Sequence, residues 1–184
     1  MTDFASEAAL AAALPDVLNA PKTRTTVHML CIRPGYNQRV FPDSISTTRQ
    51  HGVQGDGETR QPWLMDAAGQ PDPRIQVSIL PLRVLDLIWR DRTAMIHPGD
   101  TIITDLNTST DSLPPGSLLQ VGSAVLRVSD LWNNGCAKWK LRYGPAAHHW
   151  VHDAAHEQHR LRGILCSIVQ DGEVAVGGTI SRLE

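Results

Sequence analysis

The chain has 184 residues, 41% apolar and 20% charged, with 17 Lys and Arg against 19 Asp and Glu. This is close to the globular average and long enough to bury a real core, which excludes a chain disordered throughout. A formal net charge of -2 leaves no overall basic footprint for nucleic acid, and the N-terminal apolar run is too short and interrupted to span a bilayer, so neither is an expected partner.

The first apolar run, "AALAAALPDVL", is preceded by Asp3 and Glu7, where a signal peptide wants Lys or Arg. It reads as a short surface helix started near Asp3 and stopped by Pro15. A linker follows from Asn19 to Thr26, so residues 1–26 form an N-terminal arm and residues 27–184 the main domain. "VHMLCIRP" (Val27 to Pro34) has the alternating, β-branched character of a strand and ends at Pro34-Gly35. "SISTT" is a further short run, and Arg49 to Pro62 reads as a polar, Gly-rich loop. "GQPDP" is a turn cluster with the strand "RIQVSIL" behind it.

The stretch "SILPLRVLDLIWRD" predicts a helix capped by Ser78, with Pro81 in its first turn. Leu82, Leu85 and Trp89 share a face that Val84, Leu87 and Ile88 widen, which is a core pattern without chemistry. Beyond "DTIITDL", the Gly122-Ser123 pair suits a hairpin within "SLLQVGSAVLRVSD". "AAHHWVHDAAHEQHR" reads as a helix, and the end as two or three strands broken at Asp171-Gly172 and Gly177-Gly178. Short strands with frequent Gly and Pro predict a mainly β fold, a barrel or closed sheet with a few helices.

Three groups of residues could carry chemistry. The cysteines, Cys31, Cys136 and Cys166, are too sparse for a disulfide framework or a zinc knuckle and suit a reducing, cytoplasmic setting. Cys31 and Cys166 lie in apolar strand patterns and read as core. Cys136 lies on a polar turn after Gly135, with Lys138, Lys140 and Arg142 following. Cations favour the thiolate, which is both the nucleophile and the soft metal ligand. On a helix, His148, His152, His156 and His159 would share one face, but no Cys or "HExxH" pattern completes a zinc site. "HGVQGDGE" (His51 to Glu58) is neither a Walker A nor a dinucleotide fingerprint, although its backbone N–H groups could form an anion nest.

In order and spacing these segments resemble the MOSC domain, the module found at the C-terminus of molybdenum cofactor sulfurases and as stand-alone bacterial proteins. The resemblance runs from "VHMLCIRP" through "HGVQGD", "RIQVSILPLRVLDLI", "PGDTI", "SLPPGSLLQVGSAVLRVSD" and "RYGP" to "RGILCSIVQDGEVAVGGTI". It implies a MOSC-type β-barrel with a few flanking α-helices. It also implies a pocket cysteine, here Cys136, that carries sulfur or coordinates molybdenum of a pterin cofactor. Pyridoxal phosphate binding is a family-level association. The family's Gly-Asp loop falls on Gly55 and Asp56, and its strand motif on Arg74, Gln76 and Val77.

Carried over, Cys136 would hold the metal. Arg142, Lys138 and Arg74 or Arg49 would neutralise the pterin phosphate, with the His51 to Gly57 backbone adding donors. Reduction of N-hydroxylated small molecules would need a separate electron donor, since no flavin, haem or iron–sulfur signature is present. A sulfur carrier would need a sulfur donor protein and a persulfide on Cys136. The Glu-Asn pair that follows the helix in many relatives is missing from "PGDTIITDLNTST". That departure favours the alternative, a non-catalytic binding module that keeps the barrel and pocket without the cofactor.

Overall fold

Strands β4 (Val77–Pro81) and β5 (Ile102–Thr104) run parallel, with Ile79 opposite Ile102 and Leu80 opposite Ile103. Parallel neighbours need a crossover, and helix α2 (Leu82–Ile88) lies on it. Every residue of both strands is buried. Ile79 and Ile102 face one core, while Leu80 and Ile103 face another, which explains the unbroken apolar runs.

This pair belongs to a closed barrel in a computed structural model that describes residues 4–57 and 62–184. The other strands are β1 (Arg24–Leu30), β6 (Leu118–Val121), β7 (Ala124–Val128), β8 (Ile164–Gln170) and β10 (Thr179–Arg182). Their order round the barrel is β1, β10, β6, β7, β8, β4, β5, and all neighbours except β4 and β5 are antiparallel. Beside the barrel, β2 (Ser44–Thr48) pairs with β3 (Gly52–Val53) and with β9 (Gly172–Ala175). Gly122 has φ 57 in the hairpin between β6 and β7, as the Gly-Ser pair predicts.

One core fills the barrel with side chains such as Val27, Leu30, Val77, Ile102, Leu126, Cys166 and Ile180. A second lies between the barrel wall and three helices: α1 (Glu7–Leu18), α2 and α3 (Ala137–His152). In it Leu10, Leu80, Leu85, Ile103, Trp139 and Tyr143 pack together.

Several boundaries differ from expectation. Asp3 lies outside the described residues; α1 begins at Glu7, with the Ser6 hydroxyl accepting from the Ala9 N–H at 3.2 Å. It continues through Pro15 to Leu18, and its Leu10 and Val17 are buried. The linker is shorter than predicted because β1 starts at Arg24. Ser78 does not cap α2. It sits in β4, where its hydroxyl accepts from the Thr101 N–H at 3.1 Å, and the helix begins only after Pro81. The loop from Arg49 to Pro62 contains the short strand β3.

The largest difference concerns Cys136, which begins a helix instead of lying within a turn. That helix breaks at Gly144 (φ 89, ψ 165), since the residue before a proline avoids the α region and Pro145 follows. His156 and His159 fall in a separate 3-10 turn (Ala154–His159), so the histidines do not form one helical face.

Candidate functional site around Cys136

Cys136 has extended backbone (φ -81, ψ 177), and its carbonyl accepts from the N–H groups of Trp139 at 2.9 Å and Lys140 at 3.3 Å. Its thiol makes no capping bond and is exposed. The other two cysteines are fully buried, and burial pushes both thiols up to about 12. An accessible sulfur with no structural duty is therefore found at Cys136 alone.

The helix start is held from below. The Trp139 and Tyr143 rings meet edge to face at 4.9 Å, and the Tyr143 hydroxyl donates to the Ile96 carbonyl at 2.6 Å. The Arg162 guanidinium stacks on Trp139 at 4.4 Å and donates to the buried Asp100 carboxylate at 2.8 Å. The Asn133 amide donates to the Arg162 carbonyl at 3.2 Å, fixing the approach to Cys136.

On the outer side, the Lys138 ammonium lies 5.0 Å over the Tyr36 ring, and Arg142 donates to the Asn37 side-chain oxygen at 2.8 Å. Among the described residues neither cation meets a carboxylate. Arg39, on the same loop as Tyr36, donates to the carbonyls of Gln38, His97 and Pro98.

His51, Gly55 and Asp56 belong to a lining that does not include Cys136, Lys138 or Arg142. They line a cavity of about 960 Å³, together with Arg33, Arg49, Asp72 and Gln76. Its charges are internally matched. Asp56 accepts from Arg33 at 2.9 Å, and Arg49 meets Asp171 at 3.2 Å. Arg74 binds Asp72 at 2.7 Å and Asp130 at 3.4 Å. The hydrogen bonds from Arg74 hold the Asp72 carboxyl below the usual carboxylate range. Backbone N–H groups of the loop are also engaged: His51 with the Thr48 hydroxyl, Gln54 with Ser46, Asp56 with Val53 and Gly57 with Arg33. Gln76 clamps the wall, donating to the Arg49 carbonyl at 2.8 Å and accepting from the Ile168 N–H at 2.9 Å.

The residues expected to work together thus fall in two places, with Cys136, Lys138 and Arg142 at the start of α3 and the Gly-Asp loop in the cavity wall. The sequence reading passed over Tyr36, Asn37, Asp100 and Arg162, which reach the helix start from distant segments. For the helix itself a signal was present, since Trp139, Tyr143, Ala147 and Trp150 follow steps of four, four and three. Among the described residues no group of three or more His, Cys, Asp or Glu is placed to hold a metal ion. His148 and His152 stack at 4.2 Å without a third ligand.

No family model and no curated protein sequence matches the chain. Solved structures do match. The YuaD protein from Bacillus subtilis superposes with a TM-score of 0.61 at 20% identity, over 85% of this chain and 94% of that one. YiiM from Escherichia coli gives 0.55 at 17%, over 88% and 70%. YiiM from Geobacillus stearothermophilus gives 0.51 at 15%, over 87% and 75%. The fold is of MOSC type.

Within this MOSC-type fold, the two places differ in their fitness for an anionic, metal-bearing group. The start of α3 offers one soft sulfur and two cations that meet no carboxylate among the described residues, which suits such a group. At the cavity, Arg33, Arg49 and the adjoining Arg74 are each matched by carboxylates, which suits it less.

Proposed function

We propose that the protein is a sulfur carrier acting through Cys136. One observation carries the reading: Cys136 is the exposed cysteine of the three, on a helix start whose underside is locked by Trp139, Tyr143 and Arg162. The Cys136 thiolate attacks the outer sulfur of a donor persulfide. A new S–S bond forms at Cys136, the donor's S–S bond breaks, and the donor leaves as a thiolate, so the exchange needs no external oxidant or reductant. Lys138 and Arg142 attract an anionic donor to that sulfur.

The test is incubation with glutathione persulfide followed by peptide mass spectrometry. One added sulfur atom is expected on Cys136, with none on Cys31 or Cys166 and none in Cys136→Ser. Wild-type protein that gains no sulfur at Cys136 ends this reading.

A second reading is favoured by the absence of carboxylates around Lys138 and Arg142 among the described residues. Here Cys136 would hold molybdenum of a pterin cofactor, and Lys138 and Arg142 its phosphate. Such a centre supplies two-electron reduction of N–O bonds, with electrons from a separate donor protein. Protein from a host that makes the cofactor should then contain molybdenum, and Cys136→Ala should not. If neither sulfur nor metal is taken up, the reading left is a non-catalytic binding module that keeps the barrel and pocket without the cofactor.

A further inference from the structure

We infer that the face carrying Tyr36, Leu141, Lys138 and Arg142 docks an acidic protein surface beside Cys136. This deepens the Cys136 reading by naming the kind of partner, but the docking itself does not require the thiol. Leu141 is 81% exposed and Tyr36 79%, the highest values among the large apolar side chains described. Scattered exposed apolar residues are ordinary. These two are not scattered. Lys138 reaches over Tyr36, Arg142 grips the neighbouring Asn37, and Leu141 lies three positions beyond Lys138 on the same side of the helix.

The charge pattern selects the partner. Neither the segment from Arg33 to Pro42 nor the one from Leu131 to His152 contains an Asp or Glu, although the whole chain has net charge -2. Of their cations, Lys138 and Arg142 reach the Tyr36 loop, which also carries Arg39, while Arg33 is held by Asp56 and Lys140 lies on the far flank of the helix. An apolar pair within a cationic rim matches the makeup of protein interfaces, where Tyr and Arg are enriched. Nucleic acid would want a longer cationic track without an apolar centre. A membrane would want a longer apolar stripe than Tyr36 and Leu141 supply. The locked underside of α3 presents the face already ordered, which lowers the cost of binding.

The experiment titrates a fluorescein-labelled, Glu-rich peptide containing one Phe against the full chain, read by anisotropy at low and moderate salt. Wild type and Cys136→Ala should bind alike, which separates this inference from the sulfur chemistry. The double variant Lys138→Glu/Arg142→Glu should weaken binding on the order of tenfold. Leu141→Ser should weaken it a few-fold with the salt dependence kept, and both variants should melt like wild type. The inference is overturned if the peptide fails to bind, if either variant binds as wild type does, or if phosphatidylserine vesicles or a single-stranded oligonucleotide outcompete the peptide.

Discussion

The Arg162 guanidinium is sandwiched between the Trp139 ring, 4.4 Å away, and the Asp100 carboxylate at 2.8 Å. Asp100 has a side chain only 1% exposed, and Arg162 15%. Breaking a buried pair leaves one charge uncompensated, so Arg162→Met should destabilise the protein by about 3–5 kcal/mol. The double variant Arg162→Met/Asp100→Leu should recover part of that loss in thermal melts. A single variant that melts like wild type would show that the pair is not what holds the start of α3 in place.

Reagent access follows from burial. In the native protein iodoacetamide should alkylate Cys136 within minutes, while Cys31 and Cys166 stay unmodified until denaturant is added. Both have buried thiols held at about 12, which leaves them mostly protonated as well as covered. Peptide mapping of the alkylated sites is the check, and native labelling of Cys31 ahead of Cys136 would contradict the site described.

His97 gives a pH signature. Burial lowers its pKa to about 4, aided by Arg39, Arg162 and Arg92 and opposed by Asp100. The unfolded chain takes up a proton near pH ~6.5, whereas the folded chain resists until about 4. The stability from a neutral His97 is therefore complete above the unfolded value and is lost as pH falls from there through the folded value, by up to ~3 kcal/mol. His97→Gln should flatten this part of the profile in urea melts at pH 7.5 and 4.5, relative to wild type. Parallel profiles for the two proteins would assign the acid sensitivity to other groups.

How much of this was readable beforehand depends on the range of the interaction. The barrel strands were legible because alternation and Gly punctuation are local, as in the Gly122-Ser123 hairpin and the break at Asp171-Gly172. The start of α3 was obscured by its composition: Gly135, two asparagines and three cations look like a turn, and the spacing of Trp139 and Tyr143 was the competing signal. Cys136 stood out because its neighbours are polar, whereas Cys31 and Cys166 sit among apolar ones. No sequence pattern could reveal that Arg74 would also reach Asp130, that Arg49 would be claimed by Asp171, or that Tyr36 would come beneath Lys138. Those pairings depend on how the closed barrel brings distant loops together.

Gly163 offers the sharpest test of the barrel itself. It stands just ahead of β8 with φ +84, and a Cβ there would run into the Ile79 carbonyl of β4. Alanine is thus penalised twice, by a left-handed backbone and by a collision with a strand that is buried throughout. The neighbouring backbone cannot give way cheaply, because Ile79 is paired to Ile102 on one side and Ile164 on the other. Gly163→Ala should cost at least about 2 kcal/mol and lower the melting temperature by several degrees. Gly116, with φ +90 but open space around it, separates the two causes. Gly116→Ala should show the backbone penalty alone, on the order of 1 kcal/mol. Equal losses at both positions would mean that the close approach of β8 to β4 contributes nothing.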